Sequence, residues 1–261
     1  MVSYPTKPPA QFFTAADGVR LAWHELGPEN GNGRPVVLIH GLFSDAYTNW
    51  VRYGHAALLV ERGFRVIMPD LRAHGDSACP HDAAAYPPDV LADDGFALVD
   101  HLGLTDFDLG GYSLGGRTVA RMLVRGAAPR RAIISGMGLA GLLDTGHRAG
   151  FFKKVLAGIG THERGSPEFM AEAFLKTTKG DPKALLPLLD SFVDSSREQI
   201  GAIVQPLLVV SGEDDHDNGS AAALAAAVAH GRAATVPGNH MSAVTRPELG
   251  RAIAAFLSEP E

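Results

Sequence analysis

The feature that most constrains this chain is Gly-Tyr-Ser-Leu-Gly at positions 111–115, set between an apolar run at 107–110 and a helix-like run at 117–123. Strand, sharp turn and helix are the context in which Gly-x-Ser-x-Gly has a mechanism, because the turn raises the serine hydroxyl above the sheet. Small residues on both sides let the strand and the helix pass close together. The motif predicts that Ser113 is a nucleophile and that the chain performs acyl-transfer chemistry.

Strand-like and helix-like stretches alternate along most of the chain. Residues 11–26 are predicted to form a hairpin around the Asp17-Gly18 turn. Further strands are predicted at 35–39, 65–69, 106–110, 131–135, 207–211 and 232–236, and helices at about 50–62, 88–102, 114–126 and 220–230. Apolar strands that alternate with helices imply an α/β fold with a mainly parallel sheet and helices on both faces.

The alternation stops near Gly136 and resumes at Pro206, and only helical patterns lie between them. We interpret residues 137–205 as a helical cap (lid) inserted into the sheet domain, which is then made of residues 1–136 and 206–261. The leucines and phenylalanines of the cap are expected mainly to pack its own core. They also suggest a substrate with an apolar acyl or alcohol group of modest size.

Several helix starts are marked by capping residues. Ser166-Pro167 and Asp181-Pro182 each place a capping side chain before a proline in the first helical turn. The last helix is predicted to begin near Thr245, with Glu248 placed for a capping box, and to end near Ser258.

The bulk composition excludes several classes of protein. The 261 residues are 46% hydrophobic and 20% charged, which suits one large globular domain or one domain with an insertion. The net charge is -6 and no dense Lys/Arg block occurs, so nucleic acid and anionic membranes are poor partners. The single cysteine, Cys79, allows no intrachain disulfide. The N-terminal residues lack a signal peptide's apolar core, and no run approaches the about 20 residues of a membrane span. We therefore expect a cytoplasmic protein; the sequence does not predict its oligomeric state.

A serine hydroxyl is a weak nucleophile, so it needs a base that takes its proton. His240 lies between the last predicted strand and the last helix, at the end of the sheet where catalytic groups of such a fold lie. An imidazole can accept and return a proton near neutral pH. His216 and His230 are weaker candidates, because His216 is too close to the acidic loop and His230 ends a helix.

The base in turn needs a carboxylate that orients it. The loop after the strand at 207–211 offers Asp214, Asp215 and Asp217, and the order serine, acid, histidine is the one that accompanies a Gly-x-Ser-x-Gly turn. The competing interpretation is a solvated acidic loop that caps the next helix.

Backbone N–H groups must meet the negative charge of the tetrahedral intermediate. The N–H of Leu114 is one predicted donor, because it begins a helix whose dipole also favours an anion. The loop after the strand at 35–39 should supply the second, and we assign it to Leu42 in His40-Gly41-Leu42-Phe43. His40 is predicted to be a structural hydrogen bonder rather than a catalytic group.

Three aromatic side chains are predicted to bind substrate: Phe43, Trp50 and Tyr112. Phe43 and Tyr112 adjoin the proposed oxyanion donor and nucleophile. Plain core packing is the alternative for each, and no charged residue can be assigned to the pocket from the sequence.

At these residues the chain resembles the α/β-hydrolase superfamily. Five landmarks occur in that family's order: His40-Gly41 after a strand, the stretch from Pro69 to Ser77, the motif at 111–115, Gly212-x-x-Asp215 and Gly238-Asn239-His240. The resemblance covers residues 12 to 257. It implies an eight-stranded sheet with one antiparallel strand, a cap after the sixth strand, and Asp215 as the acid. Asp214 stays the alternative, because the proline that often follows the family's acid is absent.

No His-Glu-x-x-His occurs, the histidines lack ligand spacing, and no Gly-x-Gly-x-x-Gly follows a first strand, so neither a metal nor another cofactor is expected. The sequence therefore predicts a carboxylesterase-like serine hydrolase that cleaves a small to medium apolar ester. A hydrolase of C–C bonds, thioesters or lactones, or a perhydrolase, would share this machinery. Dehalogenases and epoxide hydrolases of this fold use an aspartate nucleophile, which Ser113 argues against. A slow-turnover ligand receptor on the same fold is the alternative from a different class.

Overall fold

A single eight-stranded sheet forms the centre of the computed structural model, which describes residues 5–28 and 31–260. The strands are β1 (Gln11–Thr14), β2 (Arg20–Leu26), β3 (Arg34–Ile39), β4 (Phe64–Pro69), β5 (Asp108–Tyr112), β6 (Ala132–Ser135), β7 (Leu207–Gly212) and β8 (Gly231–Val236). Their order in the sheet is β1-β2-β4-β3-β5-β6-β7-β8. Strand β2 pairs antiparallel with both neighbours, and the remaining adjacent pairs are parallel. The predicted α/β-hydrolase sheet is thus confirmed.

Helices cover both faces of this sheet. They are α1 (His55–Glu61), α2 (Val90–His101), α3 (Leu114–Val124), α4 (Leu139–Leu143), α5 (Gly146–Ala157), α6 (Pro167–Thr177), α7 (Pro182–Asp190), α8 (Arg197–Gly201), α9 (Ala221–Ala226) and α10 (Pro247–Leu257). Along β3, Val36 and Leu38 belong to one buried apolar cluster, whereas Val37 and Ile39 belong to another. Successive side chains of a strand point to opposite faces, so the two clusters are the two halves of the core.

Two predicted helices differ from the structure in extent. The stretch at 50–62 begins with a π-helical turn at Tyr47–Val51, and Gly54, with φ of 82°, separates that turn from α1. The stretch at 220–230 is helical only in α9. The chain then turns tightly into β8, where a Cβ on Gly231 would lie 2.0 Å from the carbonyl oxygen of Ala225.

The predicted caps are confirmed at two helices and wrong at a third. The Ser166 hydroxyl accepts a hydrogen bond from the Phe169 N–H at 3.1 Å, and the Asp181 carboxylate accepts one from the Lys183 N–H at 2.9 Å. Helix α10 begins at Pro247 after Arg246, which caps nothing with its side chain. The arginine side chain has no acceptor that could replace the hydroxyl of a capping serine or threonine, so Glu248 forms no capping box.

The helices α4 to α8 lie between β6 and β7, and α5 packs against α6 and α7. They occupy the segment interpreted above as the cap. None of the helices within the described part of the chain is long and apolar enough to cross a membrane. The predictions for residues 1–4, for 29 and 30 in the loop before β3, and for 261 lie outside the described residues.

Candidate active site

Ser113 occupies a strained turn between β5 and α3. Its φ of 55° and ψ of -112° lie where side-chain-bearing residues rarely occur. Two glycines make the turn possible, because a Cβ on Gly115 would lie 2.1 Å from the Ile39 carbonyl oxygen and one on Gly111 would lie 2.3 Å from the Gly115 carbonyl carbon. The turn therefore holds the serine directly beside the end of β3.

Three distant side chains converge in one hydrogen-bonded row. Nε2 of His240 lies 2.9 Å from the hydroxyl oxygen of Ser113, and Nδ1 of His240 lies 2.9 Å from a carboxylate oxygen of Asp215. His240 follows β8, and Asp215 follows β7. Both distances are within hydrogen-bond range, so the row has the geometry through which a proton can leave the serine.

Among the described residues, the rival acids form no hydrogen bond with the His240 ring, and the rival histidines form none with Ser113. Asp214 is exposed, and Asp217 forms an ion pair with Arg148 at 3.0 Å. His216 and His230 are also exposed. The carboxylate that meets the imidazole is therefore that of Asp215.

The surroundings of Asp215 keep its carboxyl ionised. Burial opposes ionisation, but the hydrogen bond and charge of His240 outweigh it, so the pKa of Asp215 lies below its ordinary value. The Asp215 side chain is 3% exposed. A buried carboxylate in this position can stabilise the imidazolium that forms when His240 takes a proton.

The two proposed oxyanion donors flank the serine. Leu114 is the first residue of α3, and N–H groups in the first turn of a helix have no intrahelical acceptor. Leu42 lies in a turn closed by a 3.2 Å hydrogen bond from the Ser44 N–H to the Gly41 carbonyl. Within residues 5–28 and 31–260, the Leu42 N–H has no acceptor, whereas the amides of its neighbours are bonded.

Two buried histidines hold this turn in place. The His74 Nε2 accepts a hydrogen bond from the Phe43 N–H at 3.1 Å, and the His40 Nε2 accepts one from the Leu71 N–H at 2.9 Å. Each ring therefore carries its proton on Nδ1, which bonds a backbone carbonyl. Burial, together with the neighbouring His40, lowers the pKa of His74 to about 3, and burial also lowers that of His40. The structural role predicted for His40 is confirmed; the matching role of His74 was not predicted.

Asp70 organises the loop after β4. One of its carboxylate oxygens accepts from the Ala46 N–H, and the other accepts from the Asp76 N–H, both at 2.8 Å. His24 bonds the same carboxylate at 3.1 Å. Burial opposes ionisation of Asp70, but these hydrogen bonds hold its pKa well below the ordinary value. The sequence showed the stretch from Pro69 to Ser77 as a landmark, but not that Asp70 joins this loop to β2 and to the loop after β3.

Ser113 opens onto a cavity of about 180 Å³. Its lining combines apolar side chains with a few hydroxyl and amide groups, among them Leu42, Tyr53, Tyr112, Phe174, Val244 and Thr245. The Tyr112 hydroxyl also donates a 2.7 Å hydrogen bond to the backbone carbonyl of His240. A cavity of this kind is suited to a small, mostly apolar ligand.

Two of the three predicted substrate contacts are wrong. Phe43 is 1% exposed and packs its ring against Phe152 of α5, so it belongs to the buried core. Trp50 is 0% exposed and lies in the apolar cluster that contains α1 and α10. Proximity in sequence to the oxyanion turn did not reveal which way these two rings point.

Among the described residues, two groups of ligand-type side chains have donor atoms within 4.8 Å of one another: His24 with Asp70 and Asp76, and Asp215 with Asp217 and His240. In the first, protein donors already bond both Asp70 oxygens. In the second, His240 directs its nitrogens at Asp215 and Ser113. Both arrangements are accounted for by hydrogen bonds.

The fold and this site define a class of protein. The family model for the alpha/beta hydrolase fold matches residues 34–159, which run from β3 into α5. The chain has the α/β-hydrolase fold.

Curated relatives match part of the chain. One is the dihydrolipoyllysine-residue acetyltransferase component of an acetoin cleaving system from Pseudomonas putida, 37% identical over 147 residues, which are 55% of this chain and 37% of that protein. Another is a non-heme haloperoxidase from Rhodococcus erythropolis, 39% identical over 123 residues, which are 46% of this chain and 41% of that protein. The matches therefore cover well under two thirds of either relative.

Solved structures match the whole fold. An esterase from Exiguobacterium antarcticum superposes with a TM-score of 0.76 at 20% identity, over 96% of this chain and 100% of that chain. At this identity the likeness establishes the shared architecture.

Proposed function

We propose that the chain is a serine hydrolase that cleaves carboxylic esters through an acyl-enzyme intermediate. The observation that carries the proposal is the row formed by Asp215, His240 and Ser113, with 2.9 Å at each junction. A serine that is joined to a base, which is in turn joined to a buried carboxylate, is the arrangement that makes a hydroxyl nucleophilic at neutral pH.

The proposed reaction has two halves. Ser113 attacks the acyl carbon while Nε2 of His240 takes its proton, and His240 then gives that proton to the leaving alcohol. Asp215 fixes the imidazole through Nδ1 and stabilises its charged form. Water repeats the attack on the acyl-enzyme, with His240 again as the base.

The oxyanion is proposed to bind the N–H groups of Leu42 and Leu114. Their position beside Ser113 supports this, as does the anchoring of the Leu42 turn by His74. Losing one such donor typically costs about 3–4 kcal/mol of transition-state stabilisation.

Residues 137–205 are proposed to act as a cap over the site, with residues 1–136 and 206–261 as the core domain. The Thr178 hydroxyl, just after α6, donates a 2.6 Å hydrogen bond to the Phe43 carbonyl, and Phe174 lines the cavity. Since the cavity holds about 180 Å³ and has an apolar side, we propose a small to medium ester as the substrate.

Labelling and turnover together test the proposal. A fluorophosphonate should label the wild type at Ser113, and the Ser113→Ala variant should be neither labelled nor active on short p-nitrophenyl esters, with an unchanged circular-dichroism spectrum. Ester turnover that survives in Ser113→Ala would contradict the assignment of the nucleophile. Labelling without steady-state turnover would favour the ligand receptor, and a panel with thioesters, lactones and a diketone would identify another scissile bond.

A further inference from the structure

One buried cation near the nucleophile has no role in the mechanism above. Arg117 lies on α3, four residues after Ser113, and is 6% exposed. Its Nη1 has no hydrogen-bond partner within the described part of the chain. Burial lowers the pKa of Arg117 to about 10, which leaves the guanidinium charged at neutral pH. An enclosed cation with a nitrogen left unpaired is costly to a protein that gains nothing from it.

Arg117 lies beside the reacting serine. Helical side chains lean toward the helix N-terminus, and Ser113 directly precedes the first turn of α3. Arg117 and Ser113 line one small cavity of about 20 Å³, together with Leu42 and Leu114. Ser113 and Leu42 also line the larger cavity of about 180 Å³, so the nucleophile lies at the junction of the two.

The charged side chains that line the small cavity are positive. Arg148 contributes a second guanidinium, and no carboxylate is among its lining residues in the described chain. Arg148 is paired with Asp217 at 3.0 Å and lies 5.0 Å from the centre of the Phe152 ring. Arg117 instead lies 5.4 Å from the centre of the Phe192 ring, and nearby Asp194 acts on it electrostatically without a hydrogen bond. Arg117 is thus the cation whose hydrogen-bonding capacity is unused.

We infer that Arg117 forms an anion subsite for a carboxylate carried by the substrate, on one side of the scissile bond. The inference rests on the proposed ester hydrolysis at Ser113 and names its substrate class: esters of a dicarboxylic or hydroxycarboxylic acid that retain one free carboxylate. A guanidinium suits this ligand, because its fork can donate two parallel hydrogen bonds to a carboxylate. The cavity of about 20 Å³ has room for one water-sized group, such as one oxygen of a carboxylate.

Matched pairs of substrates test the inference and distinguish the two sides of the bond. The acyl-side pair is mono-p-nitrophenyl adipate and its methyl ester. The leaving-group pair is 4-acetoxybenzoate and its methyl ester. For one pair, the wild type should show at least a tenfold higher kcat/KM for the anion, after correction for spontaneous hydrolysis. The anion-to-neutral ratio should fall at least tenfold, to about one, in Arg117→Gln and partly recover in Arg117→Lys. The control Arg125→Gln removes an equal charge from an exposed arginine just after α3, which is paired with Asp89 and Asp93.

A binding experiment separates this inference from the proposed function. Ser113→Ala should bind adipate or 4-hydroxybenzoate by calorimetry, and Ser113→Ala with Arg117→Gln should bind it at least tenfold more weakly. Turnover of neutral esters with no anion preference in either pair, and no such binding, would overturn the subsite while leaving the hydrolase intact. Arg117-dependent binding without turnover of any ester would overturn the hydrolase and support the subsite. If Arg117→Gln fails to fold, two other measurements test the subsite: the anion-to-neutral ratios of the wild type, and the binding of adipate or 4-hydroxybenzoate to Ser113→Ala.

Discussion

The Tyr112 hydroxyl donates a 2.7 Å hydrogen bond to the backbone carbonyl of His240, and so ties the residue before the nucleophile to the proposed base. The two rings also lie 5.7 Å apart, centre to centre. The bond fixes the loop after β8 relative to the turn after β5. Tyr112 therefore sets the position of His240 by holding its backbone rather than its ring.

Removing that hydroxyl should weaken catalysis more than binding. A hydrogen bond of this kind contributes about 1 kcal/mol, so Tyr112→Phe should lower kcat about fivefold and change KM little. Steady-state kinetics on a short p-nitrophenyl ester measures both values. An unchanged kcat would show that the loop keeps its position without Tyr112.

Asp215 should be the acid of the row, with Asp214 as its matched control. Asp215→Asn leaves a similar shape but removes the charge that steadies the imidazolium, so kcat should fall about 10³–10⁴-fold. Asp214 is exposed, and Asp214→Asn should stay within about twofold of the wild type. Equal losses in both variants would assign the effect to the loop rather than to the carboxylate.

His74 should make the fold less stable in mild acid. Its folded pKa is about 3, whereas an unfolded histidine titrates near 6.5. Between these values the unfolded chain binds the extra proton, so the free energy of unfolding falls as the pH decreases. One such histidine changes the free energy of unfolding by about 1.4 kcal/mol per pH unit in this range.

Two substitutions separate that titration from the hydrogen bond to Phe43. His74→Gln keeps an acceptor that does not titrate, so denaturant unfolding between pH 6.5 and 4 should show a shallower slope. His74→Leu also loses the acceptor and should lower kcat by loosening the Leu42 turn. An identical slope in the wild type and His74→Gln would mean that His74 is not buried in its neutral form.

The cap should loosen when Thr178 loses its hydroxyl. Thr178→Val removes the hydrogen bond to the Phe43 carbonyl at nearly constant volume, so the free energy of unfolding should fall by about 1 kcal/mol. KM should rise a few-fold if the cap helps to enclose substrate. Faster hydrogen exchange confined to α6 and the turn around Phe43 is the expected signature, and uniform exchange would contradict an anchoring role.

The sheet and the proposed Ser113–His240 pair could be predicted because local signals specify them. Apolar runs of strand length and the Gly-x-Ser-x-Gly turn lie within short windows, and parallel strands bring their carboxyl ends to one edge. Asp215 required the family resemblance, because three aspartates share its loop and only the fold shows which one faces His240.

The remaining features depend on contacts between distant segments. Trp50 was misassigned because the sequence does not show that its ring is fully buried in the apolar cluster that includes residues of α1 and α10. The hydrogen bond between His74 and the Phe43 N–H joins residues 31 positions apart. Asp70 bonds His24 in β2 and the Ala46 N–H after β3. Arg117 did leave a signal, because it lies in the first turn of the helix that Ser113 precedes. Its burial was not visible in the sequence, because it depends on distant residues such as Phe192.

The positive φ of Ser113 lowers the stability of the fold at the residue that the proposed reaction requires. Glycine adopts φ of 55° without strain, so Ser113→Gly should fold with a gain of about 1 kcal/mol. Laboratory evolution that rewards heat resistance alone would thus be drawn to the one position that the chemistry needs most. Directed evolution of this protein should therefore include a screen for turnover in every round. Without that screen, it would enrich variants that are stable but inactive.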